Sequence, residues 1–308
     1  MAITIWNNLS VKHKLSGLVL LPISLLLFLA SRQAYILTTQ LTDFERTKQL
    51  SVYLQDISVL YRSSLASSPE EFATQSSQVK AELKTLSPAI FLGTSDEMNQ
   101  LVADFNEATL SIMEATDSYD KLDALEWQSD LYKQLLLEIE KVPFENTKRD
   151  IQQHLTALQQ LEWLMFWSNE EFKLSTSLIE IFQSSQEYDP ELAEQIETLN
   201  ERQQLFLERF VSLNANEHQV SLMVEVFRND VFAQSQEFRS ALLDLNAISQ
   251  LAPQEISVGL EAMNARLSLL QSLGNVIKQE FQQEVEQAIY EAQIQRTLFI
   301  SIVALLAT

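Results

Sequence analysis

The chain of 308 residues contains no cysteine, three histidines, four glycines and six prolines. Without cysteine it has no disulfide, cysteine nucleophile or thiolate zinc site, and three widely spaced histidines leave little for an imidazole metal cluster. The four glycines are also far apart, so the sequence has neither a P-loop nor a dinucleotide-binding glycine motif. We therefore expect no metal, no cofactor and no enzymatic activity in this chain.

The excess of acidic side chains argues against nucleic acid as a partner. The chain has 42 Asp and Glu against 21 Lys and Arg, a net charge of −21, whereas binding to phosphates requires a basic surface. Residues 33–295 carry a net charge of −25, because all 42 acidic and 17 of the basic residues lie there. Such a body is either simply well solvated or attracts a cationic ligand such as an amine.

The first apolar segment is predicted to be a transmembrane helix. Residues 15–37 contain Arg32 as their only charge, and they are long enough to span a bilayer core of about 30 Å. Lys12 and Lys14 precede the segment, which places residues 1–14 in the cytoplasm by the positive-inside rule. A cleaved signal peptide is the alternative, but no small-x-small cleavage site follows the apolar run.

The other end of the chain is also apolar. Residues 298–308 contain no charged side chain, but a membrane crossing needs about 20 apolar residues. We expect residues 296–308 to be the start of a second transmembrane helix that continues past Thr308, with a buried C-terminal tail as the alternative. Residues 38–295 then form the periplasmic domain of a multi-pass protein of the inner membrane.

Between its ends, the sequence predicts long helices. Proline occurs where helices are expected to start or stop, as in Ser68-Pro69 and Asp189-Pro190, where an N-cap residue precedes proline at the first helical position. Apolar residues from Met98 to Leu122 recur at a strict three- and four-residue spacing, which is typical of a bundle seam. We predict an all-α fold of antiparallel helical bundles. The predicted helices span residues 30–67, 69–86, 95–142, 145–186, 190–212, 217–250 and 254–308.

Five segments of the chain follow a pattern seen in a known family: Trp6–Leu15, Leu18–Pro22, Leu161–Phe182, Tyr188–Leu192 and Arg202–Phe210. They resemble the sensors with a nitrate- and nitrite-sensing (NIT) domain, as found in bacterial methyl-accepting chemotaxis transducers. The resemblance covers about residues 6–245. It implies two stacked four-helix bundles in the periplasm, a homodimer, and an output through chemotaxis, a kinase or cyclic-dinucleotide chemistry.

The arginines that mark the ligand site of this family are missing. The family's Glu-Arg-Gly signature falls on Ile57-Ser58-Val59, and its Gly-x-Glu-Arg signature falls near Ser175 or Thr176. Serine hydroxyls are weaker, neutral donors for an anion, so the sequence does not favour nitrate or nitrite as the ligand. Arg62, one helical turn beyond Ser58, is a candidate replacement. The candidate ligand-binding residues are Ser58, Arg62, Trp167, Ser175 and Thr176.

Two other groups of residues on one predicted helix have more than one interpretation. Trp163, Phe166 and Trp167 have helical spacing, and they could wall a ligand pocket or a dimer interface, although core packing is the interpretation we prefer. Glu170 and Glu171 could be paired carboxylates for acid–base chemistry or a cation site. Neighbouring residues on a helix point in different directions, so we expect them on a solvated face.

Together these features predict the ligand-sensing input region of a bacterial inner-membrane receptor, most closely a methyl-accepting chemotaxis transducer. The same input would serve a histidine kinase or a cyclic-dinucleotide enzyme, and a membrane-anchored helical scaffold is a further alternative. The expected partners are a small-molecule ligand or a periplasmic binding protein, a second copy of the chain, and membrane lipid.

Overall fold

The computed structural model describes residues 11–66, 74, 77, 95–142 and 147–307. As predicted, every regular element among these residues is a helix. A five-residue π-helical turn, Phe210–Asn214, follows the fifth helix. The helices are α1 Val11–Ala66, α2 Ser95–Glu114, α3 Ser118–Glu140, α4 Arg149–Ser185, α5 Pro190–Arg209, α6 Glu217–Phe227, α7 Asp230–Leu242, α8 Leu245–Ile248 and α9 Pro253–Ala307.

The capping signals in the sequence set several of these boundaries. The predicted corner at Asp189-Pro190 is confirmed, because the Asp189 side chain accepts hydrogen bonds from the backbone N–H groups of Glu191 and Leu192. The start of α2 at Ser95 and the break before Pro253 are also confirmed. The Asp189 cap satisfies backbone donors that the first helical turn leaves without a partner.

Two predicted helices are wrong, because each is divided by an internal cap. The predicted helix 95–142 is the pair α2 and α3, and Asp117 caps the start of α3. The Gln128 amide of α3 donates a hydrogen bond to Thr109 Oγ1 of α2, at 2.7 Å, as in a helical hairpin. The predicted helix 217–250 is three helices, α6 to α8, with Asn229 and Asp244 as the N-caps of α7 and α8.

The first helix is longer than predicted. It runs from Val11 to Ala66 and contains Pro22, so the predicted transmembrane segment 15–37 and the predicted helix 30–67 belong to one continuous helix. The predicted helix 69–86 lies outside the described residues, apart from two helical positions within it, Thr74 and Ser77.

The helices divide into two compact units. One of them contains α1 up to Thr47 and α9 from Glu284. Large apolar side chains such as Leu21 and Phe28 are mostly exposed in this unit. A cavity of about 530 Å³ there is lined from both helices, for example by Leu29 of α1 and Ile302 of α9.

One helix among the described residues is long and apolar enough to cross a membrane, judged by length and composition alone. The helical stretch that qualifies is Leu18–Val59, near the N-terminus. The structure therefore gives one candidate span. The second span predicted at 296–308 stays a prediction.

The other unit contains most of the chain, with α4 at its centre. Helix α4 contacts α3, α5 and α7, and it has buried side chains on all of its faces. Phe166 of α4 lies in a buried aromatic cluster with Tyr61 of α1 and Tyr132 of α3, whose rings stack at 4.1 Å. A helix with partners on every side can bury polar residues as well as apolar ones, and α4 does so.

A glycine of α9 allows this helix to approach α7 closely. A Cβ atom added at Gly259 would lie 2.1 Å from the ring of Phe238, which is itself buried. We expect Gly259→Ala to lower the free energy of unfolding by about 1–3 kcal/mol, because a rigid ring in a packed core must move. Chemical denaturation followed by circular dichroism measures this loss.

Gly274→Ala is the matched control in the same helix. The nearest atom to an added Cβ there is 3.4 Å away, at the flexible end of Met165. Alanine has the higher helix propensity, by about 1 kcal/mol, so this variant should be as stable as the parent chain or more so. Equal losses for the two variants would contradict the close approach at Gly259.

Candidate functional site

A buried carboxylate on α4 connects the first helix of the chain to its neighbours. Glu170 accepts hydrogen bonds from the hydroxyl groups of Tyr61 on α1 and Ser129 on α3. Lys173 Nζ, one turn further along α4, lies 3.0 Å from Glu170 Oε1. The Glu170 carboxylate therefore has two hydroxyl donors, Tyr61 and Ser129, and a cationic partner, Lys173.

The ammonium of Lys173 extends this network to a fourth helix. It donates to Gln128 Oε1 of α3 at 2.9 Å, and the Gln128 amide donates to Thr109 of α2. Nζ also lies 4.3 Å from the centre of the Tyr61 ring, a cation–π contact. Tyr61, Thr109, Gln128, Ser129, Glu170 and Lys173 form the Glu170 junction, which thus joins α1, α2, α3 and α4.

Burial changes the proton affinities in the Glu170 junction. It lowers the pKa of Lys173 below its usual value, although Glu170 opposes the shift by favouring the charged form. Burial also raises the pKa of the Tyr61 phenol, and the adjacent Glu170 carboxylate raises it further. Tyr61 therefore stays a neutral donor throughout the physiological pH range.

The next residue of α4 connects a different set of helices. Glu171 accepts from Arg239 Nη1 of α7 at 3.1 Å, from Arg266 Nη2 of α9 at 2.6 Å and from Gln203 Nε2 of α5 at 2.6 Å. The side-chain oxygen of Gln203, Oε1, accepts in turn a hydrogen bond from Ser168 Oγ of α4 at 3.0 Å. This Glu171 junction joins α4, α5, α7 and α9.

The two arginines control the charge state of Glu171. Burial by itself raises the pKa of this carboxyl, but the guanidinium groups of Arg266 and Arg239 and the Gln203 amide outweigh that effect. The pKa of Glu171 therefore lies below its usual value, and the side chain is ionised at neutral pH.

The predicted solvated face at these positions is wrong. Glu171 is 0% exposed, Glu170 7% and Lys173 4%. The expectation that adjacent side chains point in different directions is correct, but both directions lead into protein because α4 is central. Each carboxylate meets its own set of donors, and the two do not form an acid–base pair.

A cavity of about 460 Å³ opens beside the Glu171 junction. We call it the arginine cavity, since Arg239 and Arg266 line it together with Gln203 and Ser168. Leu164 and Leu270 supply part of its apolar wall. Its volume lies in the range of sites for small organic ligands.

A second cavity, of about 470 Å³, lies beside the Glu170 junction. Six acidic and three basic side chains line it, so we call it the acidic cavity. Trp167 forms part of its wall, but the guanidinium of Arg202 lies 4.5 Å from the centre of that ring and Lys133 Nζ lies 5.9 Å from it. Lys133 is also 2.5 Å from Asp130. The aromatic surface is therefore occupied by cations of the protein itself.

The structure brings two of the predicted ligand-binding residues together. Ser58 and Arg62 line one small polar pocket, and Arg62 Nε donates to the Ser58 carbonyl at 3.1 Å. Glu162 of α4 and Lys278 of α9 line the same pocket. Its volume is only about 10 Å³, and the carboxylate of Glu162 supplies a negative charge for Arg62.

The remaining predicted ligand-binding residues lie elsewhere. Trp167 lines the acidic cavity. Ser175 and Thr176 line neither of the two large cavities. Ser175 is fully buried and its hydroxyl has no hydrogen-bond partner among the described residues, whereas Thr176 donates to the carbonyl of Phe172 at 2.9 Å. The prediction that these five residues bind a ligand stays a prediction.

The aromatic residues of α4 pack in the core, in line with the preferred interpretation. Trp163, Phe166 and Trp167 are all buried. Trp163 stacks on Trp167 at 5.8 Å and on Phe206 of α5 at 5.5 Å, and its indole N–H donates to Glu140 at 2.7 Å. Trp167 also lines the acidic cavity, and its role in a ligand pocket stays a prediction.

Glu162 should make the stability of the protein depend on pH between the ordinary carboxyl pKa and about 7. Burial raises the pKa of this carboxyl to about 7, although Arg62, Ser58 and Lys278 oppose the shift. Between the ordinary value and about 7, the folded chain binds a proton that the unfolded chain has lost. We expect the unfolding free energy to fall by about 1–2 kcal/mol as the pH rises through this window.

Denaturation of the full chain at several pH values tests this expectation. Glu162→Gln should remove that component of the pH dependence, since glutamine has no proton to lose. Glu197→Gln, an exposed position, serves as the control and should leave the slope unchanged. If the unfolding free energy changes with pH equally in the parent chain and in both variants, Glu162 is not the source of the pH dependence.

The sequence patterns did not indicate the residues that form the two junctions. Arg239 and Arg266 lie in no motif, and Gln203 lies in the NIT-like segment Arg202–Phe210, which did not mark it as a partner of Glu171. These residues meet Glu171 from positions up to 95 residues away. The segment Leu161–Phe182 did contain a usable signal. Its apolar residues cover all faces of a helix, which indicates a buried central helix whose few charges must also be buried.

Neither junction has the ligands of a metal centre. No group of three or more His, Asp or Glu side chains among the described residues could hold a metal ion. Comparison with protein families, with characterised proteins and with solved structures finds no match to this chain. The geometry of the two junctions and their cavities is therefore the basis for assigning a function.

Proposed function

We propose that the chain is the ligand-sensing input region of a membrane-anchored signalling receptor, of the kind found in methyl-accepting chemotaxis transducers. In this proposal α1 and α9 enter the inner membrane at their apolar ends, and the acidic helical body lies in the periplasm as antiparallel bundles. A second copy of the chain completes a homodimer. The NIT-like sequence segments support this assignment, as does the exposed apolar surface of α1.

The observation that carries the proposal is the pair of adjacent carboxylates on α4. Glu170 is hydrogen-bonded to Tyr61 of α1, and Glu171 is paired with Arg266 of α9. These are the two helices that continue to the apolar ends of the chain. We call α1 and α9 the output helices. The central helix α4 therefore contacts both of them through buried polar bonds made by consecutive residues.

Each junction also borders a cavity in which a ligand can act on it. Glu170 and Lys173 line the acidic cavity, and Arg239 and Arg266 line the arginine cavity. A bound molecule that changes one set of hydrogen bonds would shift α1 or α9 relative to α4. Displacements of about 1–2 Å between packed helices are sufficient to switch receptors.

Disulfide cross-linking of the two output helices tests this mechanism. The chain has no native cysteine, and Leu29 of α1 and Ile302 of α9 line one cavity, so Leu29→Cys with Ile302→Cys reports their approach. In membranes, Arg266→Met should change the oxidation rate of this pair at least about threefold. This variant should still fold, because Arg239 remains to balance Glu171.

Glu261→Met, an exposed position on the same helix, is the matched control and should leave the rate unchanged. If a folded Arg266→Met chain cross-links at the parental rate, the receptor mechanism is refuted. A membrane-anchored helical scaffold would then be the better assignment.

Cysteine labelling tests the proposed topology separately. A single cysteine at Glu201, an exposed position of α5, should react with a membrane-impermeant maleimide once the outer permeability barrier is opened. An equivalent cysteine at Ala2 should react only after the inner membrane is lysed. The reverse pattern would place the helical body in the cytoplasm.

A further inference from the structure

The arginine cavity has a charge opposite to that of the chain as a whole. The chain carries a net charge of −21, yet among the described residues two arginines and no acidic side chain line this cavity. Helices α4, α5, α7 and α9 all contribute to its wall, as do Phe227 of α6 and Phe232 of α7. It is therefore a local cationic site inside an acidic protein.

The positive charges at the wall of this cavity outnumber the negative charge that faces them. Glu171 is the carboxylate that pairs with Arg239 and Arg266, so two guanidinium groups share one carboxylate. Arg266 is only 5% exposed, and its Nε has no hydrogen-bond partner among the described residues. A guanidinium offers five N–H donors, and one donor from each arginine goes to Glu171.

One additional negative charge would complete this arrangement. A buried cation without a full set of partners is costly, and an anion with two coplanar oxygens matches the fork of a guanidinium. The charge excess is one unit, so a monoanion is the best match. A dianion would introduce a new imbalance.

The size and walls of the cavity determine what else the ligand contains. At about 460 Å³ the cavity is far larger than an inorganic anion such as nitrate, which takes up about as much room as one or two water molecules of about 30 Å³ each. The rings of Phe227 and Phe232 stack at 4.4 Å on its wall. Leu207 and Leu270 add further apolar surface.

We propose that the arginine cavity binds a small organic monocarboxylate. Its carboxylate pairs with Arg239 and Arg266, and its apolar body lies against Phe227 and Phe232. The amides of Gln204 and Gln236 also line the cavity and can bind polar substituents. This names the ligand class of the sensor proposed above and rests on that proposed function for its biological role.

The acidic cavity is a poorer site for a ligand of the opposite charge. The Trp167 ring that would bind an amine is already in contact with Arg202 and Lys133. An amine would have to displace these cations first. The arginine cavity needs no such displacement.

Calorimetry on the detergent-solubilised full chain tests the proposal, with benzoate as the probe. Benzoate should bind at one site per chain, whereas benzylamine and nitrate should bind at least about tenfold more weakly. Arg239→Met should weaken benzoate binding at least about tenfold. This variant removes the excess charge and leaves a balanced pair of Glu171 and Arg266, so it should fold.

Two further variants serve as controls. Arg202→Met removes an arginine outside this cavity and should leave the benzoate affinity within about twofold of the parent. Phe232→Ala should weaken benzoate several-fold but leave acetate unchanged, because only benzoate reaches the aromatic wall. Circular dichroism verifies that each variant is folded.

Several results would overturn the proposal. These are tighter binding of nitrate or benzylamine than of benzoate, binding that survives in a folded Arg239→Met chain, and no binding of benzoate at all. The failure of the receptor assignment looks different. In that case benzoate binds as expected, but the cross-linking rate of the pair at Leu29 and Ile302 responds neither to Arg266→Met nor to benzoate.

Discussion

Glu171→Gln should destabilise the folded chain by about 3–5 kcal/mol, the usual cost of removing one partner from a buried ion pair. It leaves the guanidinium groups of Arg239 and Arg266 buried without a counter-charge. Chemical denaturation followed by circular dichroism should show this loss at pH 7. Glu180→Gln is the matched control, because Glu180 pairs with Lys121 at 2.9 Å but both side chains are more than a third exposed, and such pairs contribute about 1 kcal/mol or less.

The pH dependence gives a second test of Glu171. Its folded pKa lies below the unfolded value, so the stabilisation is fully present above the ordinary carboxyl pKa and is lost as the pH falls through the folded value. The difference in stability between the parent chain and Glu171→Gln should therefore shrink below about pH 4. A difference that stays constant down to acid unfolding would contradict the ionised state of Glu171.

A compensating variant separates the cost of the lost charge from that of the altered packing. Glu171→Leu combined with Arg239→Met and Arg266→Met replaces the ion triad by apolar side chains. Buried triads of this kind are often replaceable without loss of stability, so the triple variant should be more stable than Glu171→Gln. It should also fail to bind benzoate. If the triple variant is less stable than Glu171→Gln, the packing and hydrogen bonds of the junction stabilise the fold in addition to its charge balance.

Local capping explains which helix boundaries could be predicted from the sequence. Asp189-Pro190 was recognisable because an N-cap and proline act on adjacent backbone groups. The break between α2 and α3 was missed because the apolar spacing continues through Ala115 to Leu122. Tyr119 fits this seam, yet it is 59% exposed. The residue that marks the break is Asp117, because its side chain accepts hydrogen bonds from the backbone N–H groups of Tyr119 and Asp120 and so caps the start of α3.

The two junctions could not be predicted in the same way. Charged side chains are almost never fully buried unless they are paired, so a solvated face is the default expectation for Glu170 and Glu171. Their partners lie far away along the chain, with a separation of 109 positions from Tyr61 to Glu170 and of 95 from Glu171 to Arg266. Only the packing of distant helices around α4 determines which donors face each carboxylate.

Lys173→Met is the second substitution with a large expected effect. It removes the cationic partner of Glu170 and leaves that carboxylate buried with the hydroxyl groups of Tyr61 and Ser129 as its donors. We expect a loss of about 3 kcal/mol at pH 7, by the cost of an uncompensated buried charge. The side-chain oxygen of Gln128 also loses the ammonium that donates to it, which adds to the loss.

A double variant distinguishes this mechanism from a simple packing defect. Glu170→Gln in the Lys173→Met background removes the carboxylate that has lost its cationic partner, so the double variant should be more stable at pH 7 than Lys173→Met alone. A double variant no more stable than Lys173→Met would show that the loss comes from packing and not from the uncompensated charge. Lys121→Met, at the more exposed pair with Glu180, should cost about 1 kcal/mol or less. A loss there equal to that of Lys173→Met would refute the role of burial.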